Sequence, residues 1–95
     1  MVIKPQFEAG RDRISRGVVR DKAVHSDVIA GILQFIRYNT SFKIAGLTYS
    51  PIRGPEGNIE FLCHIKHGGD DNNFDIDDIV DEAHEKTERL ININS

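Results

Sequence analysis

One amphipathic run dominates the chain. Val24, Val28, Ile32 and Ile36 fall four apart, with Ile29, Leu33 and Phe35 beside them. That spacing is the apolar stripe of a helix over about 22–38. Asp21 in front of it is an N-cap residue type, and Asn39 behind it is a C-cap type. Val2 and Ile3 read as the end of a short strand running into Lys4, and Pro5 weakens further pairing because it lacks an N–H donor. The stretch 8–20, EAGRDRISRGVVR, is polar and punctuated by Gly10 and Gly17, so it reads as a loop. Phe42, Ile44, Leu47 and Tyr49 mark a second strand over about 42–49. Strand, helix, strand in this order is a crossover, which is right-handed and sets the two strands parallel.

The remainder of the chain completes a small α/β unit. Residues 50–58, SPIRGPEGN, hold two prolines and two glycines. They form a loop too short for a second crossover, so the strand after it runs antiparallel. In that strand, 59–66, Ile59, Phe61, Cys63 and Ile65 alternate with Glu60, Leu62, His64 and Lys66. A polar linker, 67–74, leads to Asp75 as the cap of a helix reaching about Leu90. Ile76, Ile79, Val80, Ala83 and Leu90 form its apolar face. The expected fold is α/β: a three-stranded mixed sheet, two parallel strands plus one antiparallel, with a crossover helix and a C-terminal helix.

Length and charge narrow the function classes. Ninety-five residues hold one small domain, about one half of a doubly wound cofactor-binding fold. No run approaches the ~18 apolar residues of a membrane-spanning helix, and no apolar signal segment follows Met1. The single Cys63 has no internal disulfide partner. These features predict a cytoplasmic protein with no membrane partner. The net charge of −3 is unevenly spread. Residues 1–67 carry 10 Lys and Arg against 6 acids, whereas 68–95 carry 2 against 9. We therefore treat 1–67 as a basic body and 68–95 as an acidic linker and helix. A basic body points to a polyanionic partner.

The topology gathers chemistry at one edge. Ligands of open α/β sheets sit outside the carboxyl ends of the parallel strands. Lys4 ends the first strand there, and the antiparallel strand starts there, so Glu60 begins where Lys4 finishes. Two glycine-bearing loops and Arg11, Arg13, Arg16 and Arg20 share that edge, with Arg53 on the second loop. A lysine beside a carboxylate serves proton transfer if its surroundings tune it. By pattern alone the plainer reading is an ordinary exposed ion pair. The arginines contact RNA phosphates or simply line a solvated loop.

The segments IKPQFEAGR (3–11), GVVRD (17–21) and SPIRGPEGNIEFL (50–62) resemble the carboxyl-terminal part of TlyA-type haemolysin A proteins. Those proteins join an S4 RNA-binding domain to an FtsJ-like ribosomal-RNA methyltransferase domain. The resemblance covers residues 2–66. It implies the last third of a class I (Rossmann-like) methyltransferase, with its final strand inserted antiparallel between the two before it. It also implies S-adenosylmethionine-dependent 2′-O-methylation of ribosomal RNA, with the RNA or ribosomal subunit as partner. The family's Lys–Asp–Lys–Glu tetrad maps in part: Lys4 matches the second lysine and Glu60 the glutamate. Nothing here matches the first lysine or the aspartate. The glycine-rich cofactor loop has no counterpart either, since GPEGN lies between the last two strands. The chain therefore reads as a fragment that neither binds S-adenosylmethionine nor methylates RNA alone. It lacks the amino-terminal methyltransferase half and the S4 domain. Its first strand, without a neighbour on one side, is a candidate for self-association. A non-catalytic RNA- or partner-binding remnant is the alternative, and a membrane-active haemolysin a second.

Other patterns carry less. Cys63, His64 and His67 do not make a zinc site, because Cys63 and His64 face opposite ways on a strand and no second cluster exists. Asp71, Asn73, Asp75, Asp77 and Glu82 echo a calcium loop, but Ile76 stands where glycine is required and no helix enters. The tail helix is acidic, unlike a basic membrane-surface helix.

Overall fold

In this computed structural model the backbone is described for residues 1–94 and the side chains for residues 1–86. Strand β1 is Val2–Ile3, β2 is Phe42–Tyr49 and β3 is Phe61–His67. Helix α1 is a single turn, Pro5–Glu8; α2 is Lys22–Asn39; α3 is Ile76–Asn94. Short 3-10 turns occur at Arg11–Arg13 and Pro55–Gly57.

The strand order is β1-β3-β2. Val2 pairs with Leu62 and Ile3 with Phe61, while Phe42 to Tyr49 pair with His67 back to Phe61. Both ladders are antiparallel, so the expected mixed sheet with two parallel-paired strands is incorrect. The α2 crossover does return β2 in the same sense as β1, but it leaves a gap one strand wide. β3 turns back through the 50–58 loop and fills it. Crossover logic fixes the sense of a strand and not its neighbour. The insertion implied by the family resemblance matches the observed order.

Helix α2 starts where Asp21 caps it, its carboxylate accepting from the Ala23 N–H at 2.8 Å. At the other end the cap is Thr40, not Asn39: the Thr40 N–H and hydroxyl both donate to the Ile36 carbonyl. Its fully buried residues are Val24, His25, Ile29, Leu33 and Ile36. Val28 and Ile32, assigned to the centre of the stripe, are only partly buried, and Phe35 is 63% exposed. Pro5, read as weakening a strand, opens α1, where its missing N–H and fixed φ suit the first helical position.

One core joins all layers. Ile3, Ile29, Leu33, Ile44, Phe61 and Cys63 pack with Val80 and Ala83 from α3. Within the core, the acidic tail helix is therefore continuous with the basic body. Asp75 begins α3, its carboxylate accepting from the Asp78 N–H; the side chain of Leu90 lies outside the described residues. The 67–74 linker is structured against β2. A bulge between Ile44 and Gly46 frees backbone groups there. The Asp71 carboxylate accepts from the Ile44 N–H, and Asn72 donates to the Ile44 and Ala45 carbonyls. Arg37 secures the pair, reaching Asp71 at 2.8 Å and the Asn72 carbonyl at 2.7 Å. The Ile44 N–H and Arg37 hold the Asp71 carboxyl below its ordinary range. Asp71 is thus committed to structure, not to a cation.

Candidate functional site

The β1–β3 register builds the site. Ile3 faces Phe61, so Lys4 and Glu60 each stand one residue beyond the last pair of this ladder. Their environments differ. Glu60 is 8% exposed; with Ile59 it stands just ahead of β3, which runs 61–67 and not 59–66 as the alternation predicts. Its carboxylate accepts from the Gln6 side-chain amide at 2.8 Å, and the Gln6 Oε1 is buried without a hydrogen-bond partner. Gly54 makes room for it: a Cβ there would overlap the Glu60 carboxylate. Lys4 is exposed, its ammonium 5.9 Å from the centroid of the Phe7 ring. No ion pair joins Lys4 to Glu60 among the described residues. The two groups are near each other along the chain's edge but are held separately.

The loops around them are tied together by Asn58, which is 1% exposed. Its Oδ1 accepts from the Val19 N–H at 3.0 Å. Its Nδ2 donates to the Gly17 and Pro55 carbonyls, each at 2.8 Å. One side chain thus binds the 17–21 segment to the 50–58 loop. Ser15 and Val18 form a two-way bridge, with Arg16 (φ +53°) and Gly17 (φ +77°) at its tip. Positive φ at both central residues is the geometry of a tight hairpin turn, and it presents Arg16 outward.

The arginines do not form one uniform patch. Arg11, Arg16 and Arg20 are exposed. Arg13 pairs with Asp27 at 2.7 Å, which raises the guanidinium pKa further. Arg53 is half-buried on the second loop.

Sequence reasoning missed three elements. Gln6 and Asn58 both lie inside quoted motifs, but their partners are 54 and 39–41 residues away. The third is a histidine pair between α2 and α3: His25 Nδ1 lies 2.7 Å from His84 Nε2. His25 is 0% exposed, stacks edge-on to Phe61, and its Nε2 has no hydrogen-bond partner. Burial, with His84 as a second cause, pushes its pKa down to about 4, against the opposing pull of the Val19 backbone and Asp21. No group of three or more metal-ligating side chains occurs among the described residues.

The model of the FtsJ-like methyltransferase family matches residues 1–67. A Bacillus subtilis protein named as an rRNA methyltransferase, YqxC, is 40% identical over 90 residues, covering 87% of this chain and 32% of that protein. Hemolysin A of Brachyspira hyodysenteriae is 41% identical over 65 residues, covering 67% of this chain and 27% of its own. A structure described as a hemolysin of Streptococcus thermophilus superposes with a TM-score of 0.84 at 38% identity, covering 96% of this chain and 34% of that one. The chain spans about a third of the length of the curated relatives it matches.

Proposed function

The chain belongs to the FtsJ-like methyltransferase family, and from that premise we propose that it supplies the Lys4–Glu60 edge of an S-adenosylmethionine-dependent ribosomal-RNA 2′-O-methyltransferase. The carrying observation is the buried Glu60 carboxylate, held by Gln6 and accommodated only by Gly54, one register step beyond the Ile3–Phe61 pair and opposite Lys4.

The chemistry follows from the residue types. A ribose 2′-hydroxyl is a weak nucleophile, and a lysine set on it assists proton removal or stabilises the forming alkoxide. Lys4 has the exposed, flexible stem for that contact. Glu60 is pre-positioned to receive the ammonium once a ribose draws Lys4 away from Phe7. Arg11, Arg16, Arg20 and Arg53 hold the RNA backbone.

The cofactor does not fit these residues. A class I cradle needs a glycine-rich turn between strand and helix. The turn after β1 is Lys4 followed by the proline-led α1, with no glycine before Gly10. The methyl donor is therefore held by residues other than these, and residues 1–95 alone are inactive. The outer side of β1 pairs with nothing among the described residues, and Val2 is 50% exposed. That edge is open to a further strand, from another part of the protein or from a second copy.

A non-catalytic RNA-binding remnant is the alternative, favoured by the missing cradle. No helix among the described residues is long and apolar enough to cross a membrane, so the haemolysin reading has no spanning helix to rest on. The test is methyl transfer from labelled S-adenosylmethionine to ribosomal RNA. The chain alone should give none. YqxC with its matching third replaced by this chain should be active, and Lys4→Ala or Glu60→Ala should abolish the activity. Activity unchanged by either substitution refutes the assignment.

A further inference from the structure

A pocket of about 240 Å³ opens between the 50–58 loop and α3. Its walls are Tyr49, Pro51, Ile59 and Ala83, and two cations from different elements, Arg53 and Lys86, stand at it. Lys86 stands out on its helix: the other described charged side chains of α3 are Asp77, Asp78, Asp81, Glu82 and Glu85. The cation falls where the helix meets the pocket, and one of the acids, Glu82, one turn before it, contacts the pocket residue Tyr49. An aromatic and a proline beside an aliphatic floor suit the flat face of a base, since stacking on aromatic side chains is the usual way a protein holds an unpaired nucleotide. Two cations beside that wall suit its phosphate. One carboxylate lies nearby: Glu82 accepts from the Tyr49 hydroxyl at 3.5 Å. At that length the contact is loose, but the carboxylate disfavours an anion that brings no base, whereas a base offers it N–H groups. Arg53 and Ile59 each adjoin a residue of the Lys4–Glu60 site in sequence, Gly54 and Glu60. A strand passing the site thus meets this pocket within a short distance.

We propose that the pocket between the 50–58 loop and α3 is a subsite for one unpaired nucleotide of the RNA strand, its base against Tyr49 and Pro51 and its phosphate between Arg53 and Lys86. The proposal rests on the RNA reading above and names where a nucleotide next to the target is held.

The test uses the intact chain, with amide NMR followed during titration of adenosine 5′-monophosphate, adenosine, inorganic phosphate and a single-stranded RNA hexanucleotide. The monophosphate and the hexanucleotide should shift the amides of Ser50, Ile59, Ala83 and Lys86, and inorganic phosphate should not. Lys86→Glu, at an exposed helical position, should weaken the monophosphate at least fivefold. Lys86→Gln should reduce the logarithmic salt slope for the hexanucleotide by about 0.7, the single-strand value for one phosphate contact. Equal shifts from inorganic phosphate would overturn the subsite. So would hexanucleotide binding confined to the 9–20 loop and indifferent to Lys86, which leaves the RNA reading standing. A hexanucleotide that binds nowhere overturns both.

Discussion

Replacing Asn58 by alanine tests whether one side chain holds the two loops in place. Asn58 makes three hydrogen bonds, to the Val19 N–H and to the Gly17 and Pro55 carbonyls, from a position almost fully out of solvent. Each such bond contributes about 1 kcal/mol net, and a buried donor left without a partner costs about 1–3 kcal/mol. Val19 is buried, so its N–H is the group that suffers, while the two carbonyls lie in exposed loops and regain water. The expected loss is about 3 kcal/mol. At about 0.05–0.15 kcal/mol per residue, that is a large share of this chain's stability. Urea unfolding followed by circular dichroism measures it, with a lower midpoint and an unchanged slope. Asn58→Asp should be no better: it keeps the acceptor for Val19 but sets a carboxylate against two carbonyls. A loss below 1 kcal/mol for Asn58→Ala, or full rescue by aspartate, would refute the reasoning.

Gly54→Ala should displace the Glu60 carboxylate, because the new methyl would overlap it. We expect a loss of about 1–3 kcal/mol and a shift of the Gln6 side-chain amide resonance; an unmoved Gln6 signal would contradict the geometry. His25 has a folded-state pKa near 4 against an ordinary 6.5, so the native state binds fewer protons than the unfolded chain. Stability is then complete above about pH 6.5 and is lost as pH falls towards 4, by at most about 3 kcal/mol. His25→Asn should flatten that dependence in denaturation midpoints measured from pH 7 to 4. Arg16→Ala together with Arg20→Ala should weaken RNA hexanucleotide binding and lower its salt slope, whereas Arg13→Ala, already paired with Asp27, should change both little. Fluorescence anisotropy at several salt concentrations separates these cases.

The local elements were legible because their periods are strong. The helix expected over 22–38, the 42–49 strand and the Asp21 and Asp75 caps follow from spacing and residue type alone, the helix running one residue further, to Asn39. The order of the strands did not, since the spacing determines that β2 returns in the same sense as β1 but is silent on β3 lying between them. The site divides the same way. Lys4 and Glu60 each stand one residue beyond the Ile3–Phe61 pair, so their shared edge follows from the topology. What holds Glu60 is Gln6, 54 residues away in sequence, and no local pattern marks a neutral amide as its partner. Asp71 and Asn72 looked like acidic linker because the bulge they satisfy, at Ile44–Gly46, leaves no signature in the alternation of β2. His25 sits on an apolar helical face where period alone does not distinguish a buried imidazole from an exposed one.

The central claim is that the Lys4–Glu60 edge acts on a ribose hydroxyl. The most direct measurement is where the methyl group lands when the chimeric YqxC carrying this chain is supplied with ribosomal RNA and labelled S-adenosylmethionine. Nucleoside mass spectrometry of the digested RNA should find the label on a 2′-O-methylribose, absent with Glu60→Ala. Label on a base, or label that persists without Glu60, would contradict the account.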